Sequence, residues 1–362
     1  TGIYHFPLFC YLVDCGFNAS IINPIITHFT KNGNIRKVKN DKIDSKGIAK
    51  LGLSKDIPVS QFPAKLVLEL RSLTRKYYDL TDERSAHINK LKGDLHTVFP
   101  QYLDVFCDVT GKTSTMILRQ YGTPDKILRG HKKTMIEKIS KASRKGLAKA
   151  SERYEKLCAA ANAAKTFGCQ IDSIYFNIFL TLDLVEKLDS ALDSILNRIR
   201  QLITFNKNEK FIQQIKLLNT IPGVGFLTAV TIMCEIGDFS AFRNPKQLFA
   251  YFGLDPEVNE SGKFVGTQLH MSKRGSRIAR RAIFAVALAS IRTKRNGEGI
   301  NPYLRKYYEL KSGQKPKMVA IGAVMHKVCN IVFAVLRDEK AFELRSPEEH
   351  CKQYQRPALA AA

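Results

Sequence analysis

No two cysteines of this sequence are spaced as Cys-x-x-Cys, and none is grouped with histidine at the spacing of a zinc site. The eight present, at positions 10, 15, 107, 158, 169, 234, 329 and 351, are scattered. That is the pattern of reduced thiols packed as small apolar groups in a cytosolic protein. Long apolar runs are missing too: none approaches the roughly 18 residues of a membrane span. The opening TGIYHFPLFCYLVDCGFNAS has neither the basic stretch nor the small-residue cleavage site of a secretory leader. It also lacks an initiating methionine, which implies a segment upstream. Acids are scarce: 33 Asp/Glu face 57 Lys/Arg, for a net charge of +24 and a pI near 9.7. Such an excess says little about fold but favours a polyanionic partner, nucleic acid first. A membrane surface fits poorly, because no basic stretch is coupled to a long exposed apolar face.

What is present is globular material: 362 residues, 44% hydrophobic and 25% charged, enough for two or three domains. Residues 4–15 read as a helix closed by Gly16, and FNASIIN (17–23) alternates as a short strand that stops before Pro24. A second helix begins near Pro24, and after a basic loop DKIDSKGIAKLGL reads as another, with Asn40 as N-cap. Residues 1–58 thus look like part of an α/β domain, without a second strand to complete a sheet. From Pro63 the chain turns helical, with Leu66, Leu70, Leu73, Tyr77 and Leu80 in alternating steps of four and three. Residues 174–202 keep that alternation through Ile174, Ile178, Thr181, Val185, Leu188, Leu192, Ile195, Ile199 and Leu202. A sustained 3.5-residue period predicts a coiled-coil arm over 59–209, rather than a core helix drifting toward 3.6. Between its limbs, residues 126–156 carry eleven Lys/Arg against three Glu, which reads either as a solvated face or as one turned to phosphates. Residues 210–345 are compact, with broad apolar helices predicted at 276–294 and 317–338, and 346–362 form a polar tail.

Three stretches carry possible chemistry. Ile221-Pro222-Gly223-Val224-Gly225, followed at once by an apolar helix, is the pattern of a helix-hairpin-helix. Gly223 and Gly225 would let the backbone approach a DNA phosphate held by the helix amides. Such a contact positions the strand without reading its sequence, and a plain turn between core helices is the alternative. Asp41 and Asp44, at i and i+3 on one helix, share a face and could hold divalent metal, or be ordinary surface acids beside Lys42 and Lys46. Ser261, in Glu260-Ser261-Gly262, opens a segment from Lys263 to Arg305 with ten Lys/Arg and one acid. A serine attacks phosphorus usefully when its proton is taken and cations hold the phosphate. Lys263, Lys273, Arg274, Arg277, Arg280 and Arg281 supply the charge, the three arginines 277, 280 and 281 on one helix face, while Gly275 allows a close backbone approach. Ser272 and Ser276 sit among the same cations and are rivals.

IPGVG, LFAYFGLDP, NESGKFVG, MSKRGSRIARRAI and GAVMHKV, together with TGIYHF, SIINP and NDKIDSKGIAKL nearer the start, resemble a family of bacterial insertion-sequence transposases. The resemblance runs along nearly the whole chain. It implies an α/β plus all-α architecture: part of an RNase H-like (RuvC-like) DEDD domain, a coiled-coil arm, and a mostly helical C-terminal transposase domain with helix-hairpin-helix. In that likeness Asp41 and Asp44 fall on the last two acids of a set binding Mg²⁺ (or Mn²⁺), and Ser261 on a covalent nucleophile toward DNA. Lys263, Lys273, Arg274, Arg277, Arg280, Arg281, Gly223 and Gly225 are expected to meet nucleic acid. Partners implied are DNA, in some members a non-coding guide RNA, and further copies of the chain as a dimer or tetramer joined through the coiled coil. Location would be cytoplasmic, at the nucleoid. The family's first Asp and its Glu would lie before Thr1, so this stretch alone is expected to be catalytically weak. Two other readings remain: a nucleic-acid-binding protein without catalysis, and a RuvC-type junction nuclease that needs no serine.

Overall fold

The computed structural model describes residues 4–21, 41–53, 64–169, 171–207, 209–256, 260–261, 264–265, 270–346 and 348–349. The chain divides into two compact units, Thr1–Leu68 and Glu69–Ala362. In the first, helix α1 (His5–Asp14) ends in a Schellman turn: the Gly16 amide donates to Val13 O at 2.9 Å and the Phe17 amide to Leu12 O at 2.9 Å. Helix α2 (Asp41–Leu53) is helical as the sequence predicts. The strand read over 17–23 does not form across the described residues 17–21. An extended segment needs a neighbour to satisfy its peptide groups, and the described residues of this unit contain no strand. Residues 22–40, including the helix expected from Pro24 and the cap at Asn40, lie outside the described residues.

The second unit is organised by two 34-residue helices, α3 (Lys65–Val98) and α9 (Asp172–Phe205), each roughly 50 Å long. They run antiparallel. Arg84 grips Asp189 with two hydrogen bonds of 2.5 and 3.1 Å, and fourteen residues further along α3 the Tyr175 hydroxyl donates to Val98 O at 3.4 Å. On α9 the 3.5-residue stripe is turned inward: Ile178, Thr181, Val185, Leu192, Ile199 and Leu202 are buried, whereas Ile174, Leu188 and Ile195 are partly exposed. At one end the stripe enters a core shared with α3, where Ile178 packs with Leu91, Leu95 and Val98.

Between the two long helices the chain folds into five shorter ones: α4 (Tyr102–Val105), α5 (Lys112–Gln120), α6 (Pro124–Arg129), α7 (Lys132–Ser143) and α8 (Gly146–Phe167). They enclose a core in which Phe99, Tyr102, Ile117, Ile127, Met135, Ile139 and Leu157 pack with Leu91, Leu95 and Val98 of α3 and Ile178 and Leu182 of α9. The fully buried Tyr102 phenol donates to Ser114 O at 3.1 Å, and burial raises its pKa. The segment expected to be basic and helical therefore has its own apolar interior, and only its outer surface is cationic.

At the other end of α3 and α9 lies a helical body. It contains α10 (Lys210–Leu218), α11 (Phe226–Ile236), a 3₁₀ turn (Phe239–Ala241) and α12 (Pro245–Tyr251). There follow a hairpin of β1 (Glu260–Ser261) and β2 (Phe264–Val265), then α13 (Arg277–Ile291), α14 (Pro302–Ser312) and α15 (Lys317–Asp338). Helix α15 packs on α10, α12, α13 and α14. By length and composition it is apolar enough to cross a membrane, although His326 and Lys327 interrupt its apolar run. Its burial, through Ala320, Val324, Val328, Val332 and Leu336, is that of a core helix.

Helix α3 is joined to this body by charge. Arg75 Nε and Nη2 donate to the Glu235 carboxylate at 2.9 and 3.0 Å, and Arg71 Nε donates to Cys234 O at 2.7 Å. Both guanidinium groups thus meet the C-terminal turn of α11, where cations are favoured. Burial opposes the charged form of Glu235, but hydrogen bonds from Arg75 and Ser276 outweigh it and hold its pKa below the ordinary value of 4.5. Because the folded pKa is depressed, the pair's contribution is complete above about pH 4.5 and is lost as pH falls through the lower folded value. Arg75→Ala strands a carboxylate whose side chain is 3% exposed and is expected to cost about 1–3 kcal/mol near neutral pH, discounted because Arg75 is half-exposed. Denaturant melts at pH 7 and pH 3.5 check this: the gap to wild type should shrink at the lower pH, and a pH-independent gap would refute it.

Candidate nucleic-acid interface

Helices α10 and α11 are joined by the glycine hairpin at 219–225. Its turns are closed by the Ile221 amide on Leu218 O at 3.1 Å and the Val224 amide on Ile221 O at 2.9 Å. The two glycines do different things. Gly223 sits at φ +97°, and a Cβ there would lie 2.5 Å from Ser290 Oγ and 2.9 Å from its amide. It is the contact that lets α13 end against the hairpin, where Ser290 Oγ donates to Pro222 O at 3.0 Å. The close approach seen at Gly223 is thus to the protein's own helix. Gly225 is exposed, has nothing within 4 Å of a Cβ, and precedes α11 without a side-chain cap. The first amides of α11 are therefore left to an outside acceptor or water. Arg200 of α9 lies 5.9 Å over the ring of Phe226 in that first turn, a cation beside the helix start that nothing in the sequence connects to it.

Ser261 closes β1, directly opposite Phe264 in β2, with two residues between the strands. Below the strands Pro256 bridges Met271, the Ser272 amide donates to Asp255 O at 2.8 Å, and the Lys273 amide to Gly253 O at 3.0 Å. Residues 255–272 are thus an excursion tied at its root. The root is tight: Gly253 has φ +66°, and a Cβ on Gly275 would lie 2.0 Å from Tyr251 O. The close backbone approach expected at Gly275 is real, and again it is to the protein itself. Of the rival serines, Ser272 Oγ donates to the Asp255 carboxylate at 2.6 Å. Ser276 caps α13 by accepting from the Ala279 amide at 3.1 Å. Both hydroxyls are engaged in holding the root.

The cations divide in the same way. Lys273, Arg274 and Arg277 are exposed beside the root. Arg280 turns inward, donating to Gly275 O at 2.7 Å and Phe252 O at 3.2 Å, and burial lowers its pKa. It is a strut of the loop, not a free phosphate ligand. Arg281 lies 4.8 Å over the Tyr78 ring and 2.8 Å from Asp82, which also meets Arg277 at 3.1 Å. The single acid Asp82 of α3 therefore competes for two of the predicted contacts. Lys263 lies outside the described residues, and the side chains of Asp41, Asp44 and Ser261 are not described. Asp41 and Asp44 occupy the first turn of α2. Two carboxylates one helical turn apart are hard oxygen donors of the kind a divalent metal takes. Further ligands are needed for a complete shell, and no group of three possible ligands occurs among the described residues.

A family profile described as "Transposase IS116/IS110/IS902 family" matches residues 215–309, spanning the hairpin, the Ser261 excursion and α13. A second, for a DEDD transposase of the IS110 type, matches residues 1–100, including Asp41 and Asp44. Both profiles describe transposases. The chain belongs to the IS110/IS116/IS902 transposase family. It is 23% identical over 286 residues to an uncharacterized 43.6 kDa protein of insertion element IS110 from Streptomyces coelicolor, covering 78% of this chain and 66% of that one. It is 30% identical over 177 residues to a pilin gene-inverting protein of Moraxella bovis, 49% and 52% of the two chains. Over 188 residues it is 26% identical to the transposase of insertion sequence element IS1111A from Coxiella burnetii, 50% of each. The chain thus spans about two thirds of the first of these relatives and about half of the other two.

Two outcomes follow from the geometry. Gly223→Ala, with an impossible contact and a strained φ, is expected to destabilise the fold by about 2–3 kcal/mol. Gly225→Ala should leave the melting temperature within about a degree while weakening DNA binding. Equal melting temperatures for the two variants would contradict the division of roles. Asp82→Asn should raise affinity for arbitrary duplex DNA several-fold at low salt, with stability lowered by no more than about 1 kcal/mol. An affinity that is unchanged or lower would show that Asp82 does not compete with phosphate.

Proposed function

We propose that the chain acts in DNA transposition or site-specific recombination, cutting and rejoining strands through a covalent serine–DNA intermediate with Ser261 as nucleophile. The observation that carries this reading is the placement of Ser261 on a hairpin whose root adjoins exposed Lys273, Arg274 and Arg277, while Ser272 and Ser276 are occupied in holding that root. In the step envisaged, Ser261 Oγ attacks the phosphorus of a phosphodiester. An O–P bond forms to the serine, the bond to one deoxyribose oxygen breaks, the serine proton passes to a base or solvent, and the leaving oxygen takes up a proton. Attack by the hydroxyl of a second strand reverses the chemistry and releases the serine. The exposed cations hold the phosphate and offset the charge that builds on its oxygens. Asp41 and Asp44 would contribute two carboxylates to a site for Mg²⁺ or Mn²⁺, an ion that supplies electrostatic stabilisation to a phosphoryl group when bound. Two relatives named for gene inversion and transposition agree with this class of reaction. A guide RNA and assembly as a dimer or tetramer belong to the same proposal.

The experiment is to incubate the protein, joined to an upstream segment carrying the family's first Asp and its Glu, with Mg²⁺ and nicked DNA bearing insertion-element ends, then to separate the products on a denaturing gel. A protein–DNA adduct that is lost in Ser261→Ala and retained in Ser272→Ala is expected. An adduct that persists in Ser261→Ala moves the nucleophile elsewhere, and Mg²⁺-dependent cleavage without any adduct favours a junction nuclease. Binding alone, under every condition, favours a non-catalytic protein.

A further inference from the structure

Away from the hairpin, the cluster of short helices α4–α8 presents a second cationic surface that the proposed chemistry does not use. At the start of α8, Lys145, Lys149 and Arg153 recur every four residues, with Lys156 three further on, so that one face of the helix repeats a positive charge at steps of about 6 Å. They line a cleft of about 170 Å³ together with Ser143 and, from α4, Asp104 and Val105. The acids in this neighbourhood are few. Glu152 is taken by Lys156 at 2.7 Å, and Asp104 is the other carboxylate of the cleft. Lys145 and Lys149 are exposed and make no ion pair among the described residues. Arg153 is half-buried with its guanidinium 5.6 Å over the Phe106 ring, which holds one cation at a set position. Exposed Lys141 and Arg144 carry the positive surface around the turn from α7.

A surface serving only solubility mixes charges of both signs. Here four cations outnumber two carboxylates along one cleft, and a linear polyanion is the partner that satisfies several such cations at once. We propose that this face of α8 binds the phosphodiester backbone of nucleic acid, as a grip separate from the one beside Ser261. Arg153, stacked on Phe106, sets the register, and Lys145, Lys149 and Lys156 neutralise successive phosphates without reading base sequence. The inference does not depend on Ser261 being a nucleophile.

The test measures binding of the whole chain to two labelled probes, a short duplex DNA of arbitrary sequence and a stem–loop RNA, over a series of salt concentrations. The variant is Lys145→Gln/Lys149→Gln/Lys156→Gln, whose exposed positions leave the core untouched; its thermal melt is checked against wild type. Neutralising three phosphates changes the slope of log affinity against log salt by about 2–3. The expected result is that loss of slope, with affinity down at least tenfold at physiological salt, for one or both probes. Loss confined to the duplex assigns the face to DNA, loss confined to the stem–loop assigns it to RNA, and loss on both assigns it to the shared backbone. The same decrement should appear in a Lys273→Gln/Arg274→Gln/Arg277→Gln background, which separates this face from the one beside Ser261. Unchanged slopes and affinities for both probes overturn the proposal.

Discussion

The buried carboxylate of Glu235 is the constraint on which the second unit depends. It lies at the end of α11, 3% exposed, and would be untenable there without the two hydrogen bonds from Arg75. Arg71 adds a third anchor on the adjacent carbonyl. Because both arginines come from α3, the first turns of the long arm are locked to the helix that follows the glycine hairpin. Tyr251, donating to the backbone carbonyl of Glu235 at 3.2 Å, ties α12 to the same helix end. The last turn of α11 thereby joins α3 and α12 through one ionised group and two backbone carbonyls.

That root is built by exclusion of side chains as much as by attraction. Gly253 and Gly275 touch backbone to backbone, and Arg280 closes the contact by donating to two carbonyls from above. The result is a narrow base carrying a short two-stranded tip. A rigid base beneath a small hydroxyl suits chemistry in which a nucleophile must be delivered to a large ligand. The exposed cations lie around this base, and Asp82 of α3 holds two of the arginines meanwhile.

The arm separates two surfaces of like charge. An antiparallel α3/α9 pair roughly 50 Å long has the hairpin body at one end and the cluster of short helices at the other. Arg84 and Asp189 clamp the pair midway, and most of the 3.5-residue stripe of α9 is buried. Long-range attraction of a polyanion acts on both ends, whereas the chemistry proposed for Ser261 belongs to one.

Helix periodicity was legible from residues alone. The spacing from Ile174 to Leu202, the helix over Asp41–Leu53 and the glycine hairpin all depend on local rules, and those rules hold in the folded chain. The excess of cations and the placing of Ser261 before a glycine within it were equally visible. What residues could not reveal is direction. Gly223 and Gly275 both read as sites of close approach, and the structure fills both with the protein's own chain, because a glycine's lack of Cβ does not say which backbone takes the space. Arg280 was grouped with Arg277 and Arg281 on a helix face, since spacing cannot tell an inward strut from an outward hand. The FNASI strand failed because extended structure is completed only by a partner. By itself the sequence determined where helices run, how positive the chain is and which small residues break its pattern, for these follow from neighbours along the chain. Only the tertiary structure decided which serines are occupied, which arginines are free and where the apolar stripe is spent. Those outcomes rest on contacts that spacing along a helix does not fix, such as Ser272 with Asp255, Arg280 with the Phe252 carbonyl and Arg281 with Asp82 of α3.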